Sequence, residues 1–386
     1  MEGERPGLGV VLREWGRLGV IGFGGPPAHV ALLRDLCVER RAWIDAEEFE
    51  DANAACNLLP GPASTQLAIY CAHRVAGLPG AFAGGLAFIL PGLVLLIALS
   101  ALTLGSAPPA WALGLAAGAG AAVLAVILRV GSDLARASLA PHAGFQLWRA
   151  AAYLVIGAVT VVLAGPGVVL ALLACGTAEL LIRRGAPTGM PSVAIPQAIA
   201  ILAATTTGAA ALPALAWTAL KVGALSYGGG FVIVPIMQGD AVDAYHWMTN
   251  TEFLNAVALG QITPGPVVQT IAAVGWAAAG LGGALFAAAI AFAPSFLVIA
   301  LGGARFHALR ANSSARAFLD GAGPAAIGAI LGTLVPLAGG VTEAWQWAVA
   351  AVAAVLLLAL RRSVMVVLLG AGAVGVIAGL GGLPLP

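Results

Sequence analysis

The chain has 386 residues, of which 60% are hydrophobic and only 9% charged, with a net charge of +1. A soluble domain carries roughly 25% charged residues, so a mean hydropathy of +0.98 excludes a water-facing globule. The absence of a basic block excludes nucleic acid as a partner on charge grounds.

In chain order, Glu2, Glu4 and Arg5 precede any apolar stretch, so no cleavable signal peptide is expected. An apolar helix carrying Arg17 then meets the break Phe23-Gly24-Gly25-Pro26-Pro27, with His29 just behind it. Trp43 and Glu48-Phe49 lead to Pro60-Gly61-Pro62. The flanking stretches 46–58 and 63–76 are each roughly 20 Å long as helix at 1.5 Å per residue. Neither spans about 30 Å of hydrocarbon, and the prolines forbid one continuous helix. A re-entrant helical hairpin with its tip at 59–62 is therefore predicted, with Arg40, Arg41 and Arg74 marking both ends as cytoplasmic. The apolar runs 82–104, 111–128, 153–163, 168–181 and 345–360 read as further spans.

The second half repeats the first. Tyr227-Gly228-Gly229, Trp247, Glu252-Phe253 and Pro264-Gly265-Pro266 each lie 204 positions after their counterparts, as 227 does from 23 and 266 from 62. After a one-residue slip, Gly280, Pro294 and Gly321 follow Gly77, Pro91 and Gly118 at 203. The expected units are an N-terminal repeat 1–184, a linker or extra helix 185–211, and a C-terminal repeat 212–386. Equivalent loops carry opposite charge bias: Arg34, Arg40 and Arg41 face Asp240 and Asp243, while Ser106-Ala107-Pro108-Pro109 faces Arg305, Arg310 and Arg316. By the positive-inside rule the halves are oppositely oriented. The fold class is thus an all-α polytopic membrane protein of two inverted-topology repeats, each with Gly/Pro-broken re-entrant helices, the signature of a transporter. Two topologies remain. One has nine spans, four re-entrant pieces and a cytoplasmic N-terminus, and needs 196–212 to cross; it is preferred because it keeps Arg5 inside. The other has ten crossings and a periplasmic N-terminus.

Phe23-Gly24-Gly25-Pro26-Pro27-Ala28-His29, Trp43 with Glu48-Phe49, and Leu59-Pro60-Gly61-Pro62 with Ser64-Thr65-Gln66-Leu67-Ala68 resemble the chromate ion transporter family. So do Tyr227-Gly228-Gly229-Gly230 and Gly260-Gln261-Ile262-Thr263-Pro264-Gly265-Pro266-Val267. The likeness covers both halves, as in the long two-domain form. It implies export of chromate, or of sulfate or a related tetrahedral oxyanion, across a bacterial cytoplasmic membrane, driven by the proton motive force. A passive oxyanion channel is the alternative. Pro26-Pro27 departs from the second half, which has Gly230-Phe231.

A buried dianion needs N–H and O–H donors and a cation. Helix N-termini behind the breaks supply donors, so the expected substrate-binding residues include Gly24, Gly25, Gly228 and Gly229 at the aromatic-Gly-Gly breaks. Gly61, Ser64, Thr65 and Gln66 at the first tip join them, with Gly265 and Thr270 at the second, and Asn57 and Gln261 as neutral donors. The alternative is a plain kink whose hydroxyls back-bond to carbonyls. Arg17 and Lys221, aligned at 204, are the candidate cations; the alternative for both is snorkelling to the interface. His29, Glu48 and Glu252 are candidates for proton coupling, although Asp45-x-x-Glu48 and Thr249-x-x-Glu252 also read as capping boxes. Cys37, Cys56, Cys71 and Cys175 have no metal-ligand or disulfide spacing, and no cofactor is expected. Without HExxH, GxSxG or Walker A motifs the chain is not read as an enzyme. The expected partners are the oxyanion and the bilayer. Gly-rich helix faces serve a homodimer or internal packing equally.

Overall fold

A computed structural model describes residues 6–57, 59, 61–184, 211–226, 230–302 and 313–386. Pro60, Tyr227, Gly228, Gly229, Arg5, Arg305, Arg310 and nearly all of the predicted linker lie outside these residues. Among the described residues every element is helical. The chain is an all-α polytopic membrane protein. Five stretches are long and apolar enough to cross a bilayer: Ala63–Thr103, Ala110–Leu139, Gly144–Arg183, Val267–Leu301 and Arg316–Ala338. Ala211–Leu225, Ala344–Ala359 and Val364–Leu380 are shorter apolar helices.

Helix α1 (Leu8–Ile21) buries Val11, Glu14, Trp15 and Leu18 along one face, the spacing of an α-helical stripe. The Trp15 indole N–H donates to the Ala68 carbonyl at 2.8 Å, fastening α1 to the helix that starts at Ala63. The helix stops at Gly22, and the chain turns through Gly24 (φ +100°) and Gly25 (φ +73°), a backbone that glycine adopts without a Cβ penalty. Helix α2 (Pro26–Arg34) carries its two prolines in its first turn, where their missing N–H groups cost nothing. This position accounts for the doubled proline. It continues as a π-helical turn, Asp35–Arg40.

The repeat extends to unusual backbone. Helix α3 (Ala46–Cys56) follows a left-handed Ala42 (φ +48°), and the Trp43 and Ile44 amides both donate to the Cys37 carbonyl, at 2.8 and 3.2 Å. In the second half, α8 (Ala211–Leu225) and α9 (Ile233–Gln238) lead to the π turn Gly239–Ala244. A left-handed His246 (φ +53°) follows, and the Trp247 and Met248 amides donate to Ala241, again at 2.8 and 3.2 Å. Helix α10 (Asn250–Ile262) matches α3.

Helix α4 (Ala63–Thr103) breaks at Ala76–Gly77, and α11 (Ile271–Gly302) at Ala279–Gly280, with glycine φ of +66° and +64°. The first piece of α4, 63–75, is thus only about 20 Å long at 1.5 Å per residue. Beyond the break, Leu78, Phe82, Leu86, Leu90 and Val94 form an exposed stripe at every fourth residue, suited to a hydrocarbon solvent rather than water.

The remaining helices are α5 (Ala110–Leu139), α6 (Gly144–Ala164), α7 (Val168–Arg184), α12 (Ser313–Gly332), α13 (Leu334–Ala338), α14 (Ala344–Ala354) and α15 (Val364–Leu380). They pack by exchange: α5 of the first half lies against α14 and α15, and α12 of the second half lies against α6 and α7. At the centre α4 crosses α11, with α1 on the flank of α4 and α8 on that of α11. Small residues permit the close approach, as in other membrane bundles. A Cβ on Gly92 would collide with the Pro264 carbonyl, so the second tip rests directly on the backbone of α4.

That contact yields a first prediction. Gly92→Val should destabilise the protein by about 1–3 kcal/mol, the usual cost of overpacking, read as a lowered Tm of the detergent-purified protein. An unchanged Tm would mean that the tip is not seated on α4.

Candidate functional site

The first tip turns at Gly61 (φ +124°). A side chain there would run into the Gln66 amide and approach the Ser295 hydroxyl at 3.2 Å. The tip therefore sits in the crook beside Pro294-Ser295 of α11, as the second sits beside Pro91-Gly92 of α4. Immediately after it, α4 begins with Ala63 and Ser64, whose position in the first turn leaves their N–H groups without intrahelical partners, while the Thr65 and Gln66 amides donate to the Pro62 carbonyl at 3.0 Å. Ser64, Thr65 and Ser295 are all buried. Among the described residues the hydroxyls of Thr65 and Ser295 have no hydrogen-bond partner, which is costly for buried polar groups unless a ligand or water completes them.

His29 closes this cluster. Its ring is buried; Nε2 lies 2.9 Å from the Gly22 carbonyl and Nδ1 3.1 Å from Ser64 Oγ. A carbonyl only accepts, so Nε2 carries a proton, and in the neutral ring Ser64 donates to Nδ1. Phe88 stands edge-on to the imidazole with centroids 5.1 Å apart. The Gly22 carbonyl accepts a second bond, from the Gly265 amide of the second tip at 2.9 Å. First break, first tip and second tip thereby meet at one point.

The second tip differs in what it leaves open. Gly265 has committed its amide to Gly22, and the Thr270 hydroxyl back-bonds to Val267 at 2.8 Å. Thr263 donates to Gly260, and Gln269 Nε2 donates to Thr263 and to the Pro264 carbonyl. The turn after the tip, Val267–Thr270, is a 3-10 helix rather than the start of an α-helix. At the second tip, then, the Gly265 amide is taken up by Gly22 and the Thr263 and Thr270 hydroxyls by carbonyls of their own turn.

A cavity of about 220 Å³ lies against the first break. Gly24, Gly25 and Gln261, all expected site residues, line it together with Phe231 and Val126. Gln261 Nε2 has no hydrogen-bond partner. Asn57, which the alignment pairs with Gln261, is exposed and donates back to Asn53, capping its own helix.

The candidate cations are not at the tips. Arg17 lies on the exposed face of α1, as its snorkelling alternative requires. Lys221 Nζ lies 2.5 Å from Asp240, which also accepts from the Thr218 hydroxyl at 2.7 Å. The same seam in the first half is tied with opposite polarity, by Glu14 on α1 and Arg41 beyond the π turn at 2.5 Å. Glu48 departs from its capping-box reading. The Glu48 amide is capped by Asp45 at 2.7 Å, but its carboxylate is held by Arg74 and by the Tyr70 hydroxyl. This ties the start of α3 to α4. Glu252 does complete its capping box with Thr249.

Three groups escaped the sequence reading. Ser295 and Asp240 needed the tertiary contacts, although an aspartate beside an apolar helix was a signal. Glu179 sits inside the apolar α7, where Arg149 (2.9 Å), Arg183 (2.8 Å) and Tyr153 (3.2 Å) hold it. Arg183 also reaches Asp320 of α12 at 2.9 Å, joining the two halves. Its charge in an apolar run was visible from the start.

A pairing role for Lys221 predicts an outcome that a substrate role does not. Lys221→Met and Asp240→Asn should each destabilise by about 3–5 kcal/mol, because each strands a buried charge. The double variant should recover both the Tm and transport; a stable double variant without transport would return Lys221 to the anion site.

Residues 10–180 and 213–376 match the family model described as chromate transporter. A chromate transport protein of Cupriavidus metallidurans is 34% identical, covering 83% of this chain and 80% of that protein. A probable chromate transport protein of Synechococcus elongatus is 34% identical over 83% and 82%. One from Pseudomonas aeruginosa is 31% identical over 83% and 79%. No solved structure matches the chain.

Proposed function

The chain belongs to the chromate transporter family, and on that premise we propose that it exports chromate, or a related tetrahedral dianion such as sulfate, across a bacterial cytoplasmic membrane. The observation that carries the site is the buried donor cluster at the first tip: the hydroxyls of Ser64, Thr65 and Ser295 gathered at and beside the N-terminus of α4. A helix N-terminus favours an anion by its dipole and its free N–H groups. A cavity lined by Gly24, Gly25 and Gln261 lies at the first break, whose following helix carries His29 to that cluster. Among the described residues no ion pair lies at the tips, which suits a carrier that must also release its cargo.

The two halves supply the moving parts. The charge bias of their loops supports an inverted repeat with two re-entrant hairpins, and alternating access then follows from one half rocking against the other. The Gly22–Gly265 hydrogen bond lies on that boundary and must break or shift as the halves move. The proton motive force is the source of work in this reading. Its electrical part alone favours export of anions, at about 2.3 kcal/mol per charge per 100 mV.

Chromate flux into proteoliposomes tests the reading. With the potential clamped, flux that accumulates chromate against its gradient when a pH gradient is imposed, and that excess sulfate inhibits, is expected. Thr65→Val and Ser295→Ala should each weaken apparent chromate affinity about tenfold or more, since hydrogen bonds to charged groups contribute roughly 1.5–3 kcal/mol. Flux that only dissipates a chromate gradient, whatever the imposed ion gradient, would establish a passive channel instead. Unaltered affinity in both variants would remove the first tip as the site.

A further inference from the structure

A dianion held at the first tip needs a positive charge, and the permanent cations on the surrounding elements are engaged elsewhere. On α1, Arg13 and Arg17 are exposed and Glu14 pairs with Arg41, and on the π turn Arg40 pairs with Asp35. On α2, Arg34 pairs with Glu39 and Glu50. On α4, Arg74 holds Glu48, and in the second half Lys221 holds Asp240. Among the described residues, His29 is hydrogen-bonded to Ser64 and the Gly22 carbonyl and makes a ring contact with Phe88, none of them charged. His29 is thus the titratable side chain placed at the tip among the described residues, and the one group there able to become positive.

We propose that His29 and Ser64 form a protonation-controlled donor pair, in which uptake of one proton by His29 turns the Ser64 hydroxyl from the imidazole to the bound oxyanion. This rests on the first tip being the anion site. In the neutral state Nε2–H donates to the Gly22 carbonyl, and the Nδ1 lone pair accepts the Ser64 proton. A proton arriving at Nδ1 reverses that second bond. Nδ1–H now donates to Ser64 Oγ, and the Ser64 O–H rotates away and is free to donate to an anion oxygen. No covalent bond to carbon changes; one proton is taken from the aqueous phase, and one donor and one positive charge are added to the site. Nε2 keeps its bond to Gly22 throughout, so the ring stays seated while its other edge changes role. Ser64 occupies the first turn of α4, whose N-terminal dipole end favours an anion. A dianion carried with one proton moves a net charge of −1, which an inside-negative potential still drives outward.

The test is chromate binding to the purified full-length protein, followed from mildly acidic to mildly alkaline pH. Chromate itself takes up a proton near neutral pH, so the pH effect is read as the difference between wild type and His29→Gln under identical conditions. Wild-type affinity should fall relative to the variant as pH rises, by up to about tenfold per pH unit for one linked proton. Calorimetry in buffers of different ionisation enthalpy should find one proton fewer taken up by His29→Gln. Ser64→Ala should lose about tenfold in affinity, with the loss confined to the acid side, and Ser64→Thr should rescue it. Parallel pH profiles for wild type and His29→Gln would overturn the pair, as would a loss in Ser64→Ala that is equal at every pH. Thermal unfolding of each variant, with His29→Asn as a second substitution, separates these results from misfolding. Wild type that binds no chromate at any pH would instead overturn the site on which the pair rests.

Discussion

A helix that breaks inside a membrane leaves carbonyl and amide groups that no water can satisfy, and each such group costs several kcal/mol if left alone. The Gly22 carbonyl meets that constraint by accepting two donors, the Gly265 amide and His29 Nε2. One comes from the opposite repeat and the other from the helix that follows the break. The positions of His29, Ser64 and both tips follow from this single acceptor. It holds the second tip over the first break, and it leaves only the Nδ1 edge of His29 to face Ser64.

The same constraint explains why the repeats, so alike in backbone, differ in chemistry. Their π turns, left-handed residues and kinks coincide at an offset of 204 or 203. The polar groups on that shared backbone do not. The seam beside the π turn has its carboxylate on α1 in the first half, at Glu14, and on the π turn in the second, at Asp240. Either arrangement neutralises a buried charge, so the fold tolerates both. At the tips the two halves differ in the same way: the second has a partner for the Gly265 amide in Gly22 and local bonds for Thr263 and Thr270, and the first keeps the hydroxyls of Thr65 and Ser295 open among the described residues. In the function proposed above, one half then serves as scaffold and the other as site.

The chain's cations illustrate how far a charge in an apolar segment can mislead. An intramembrane lysine is a functional hypothesis by default because it is expensive. Lys221 meets that expense with Asp240 and Thr218 and with the face of Trp217, 5.7 Å away. Arg17 avoids it by staying on the exposed face of α1. Neither solution is visible along the chain, since Asp240 lies 19 residues from Lys221 and exposure depends on which helix face α4 covers.

The sequence by itself determined the solvent, the helical class, the two-fold repetition and the places where helices must stop. Hydropathy, proline and glycine act locally, and a motif copied in register reports itself. The predicted breaks at Gly24-Gly25, Gly61 and Gly77, and the short helix between the last two, stand where the backbone turns. Tertiary structure alone decided which donors remain open. Ser64 faces His29 across 35 residues, the Gly265 amide reaches Gly22 from the other repeat, and Ser295 comes to Gly61 only because α11 crosses α4. A hydrogen bond is satisfied by whatever lies within about 3 Å, and that neighbour is set by how helices cross, which no local pattern of residues encodes.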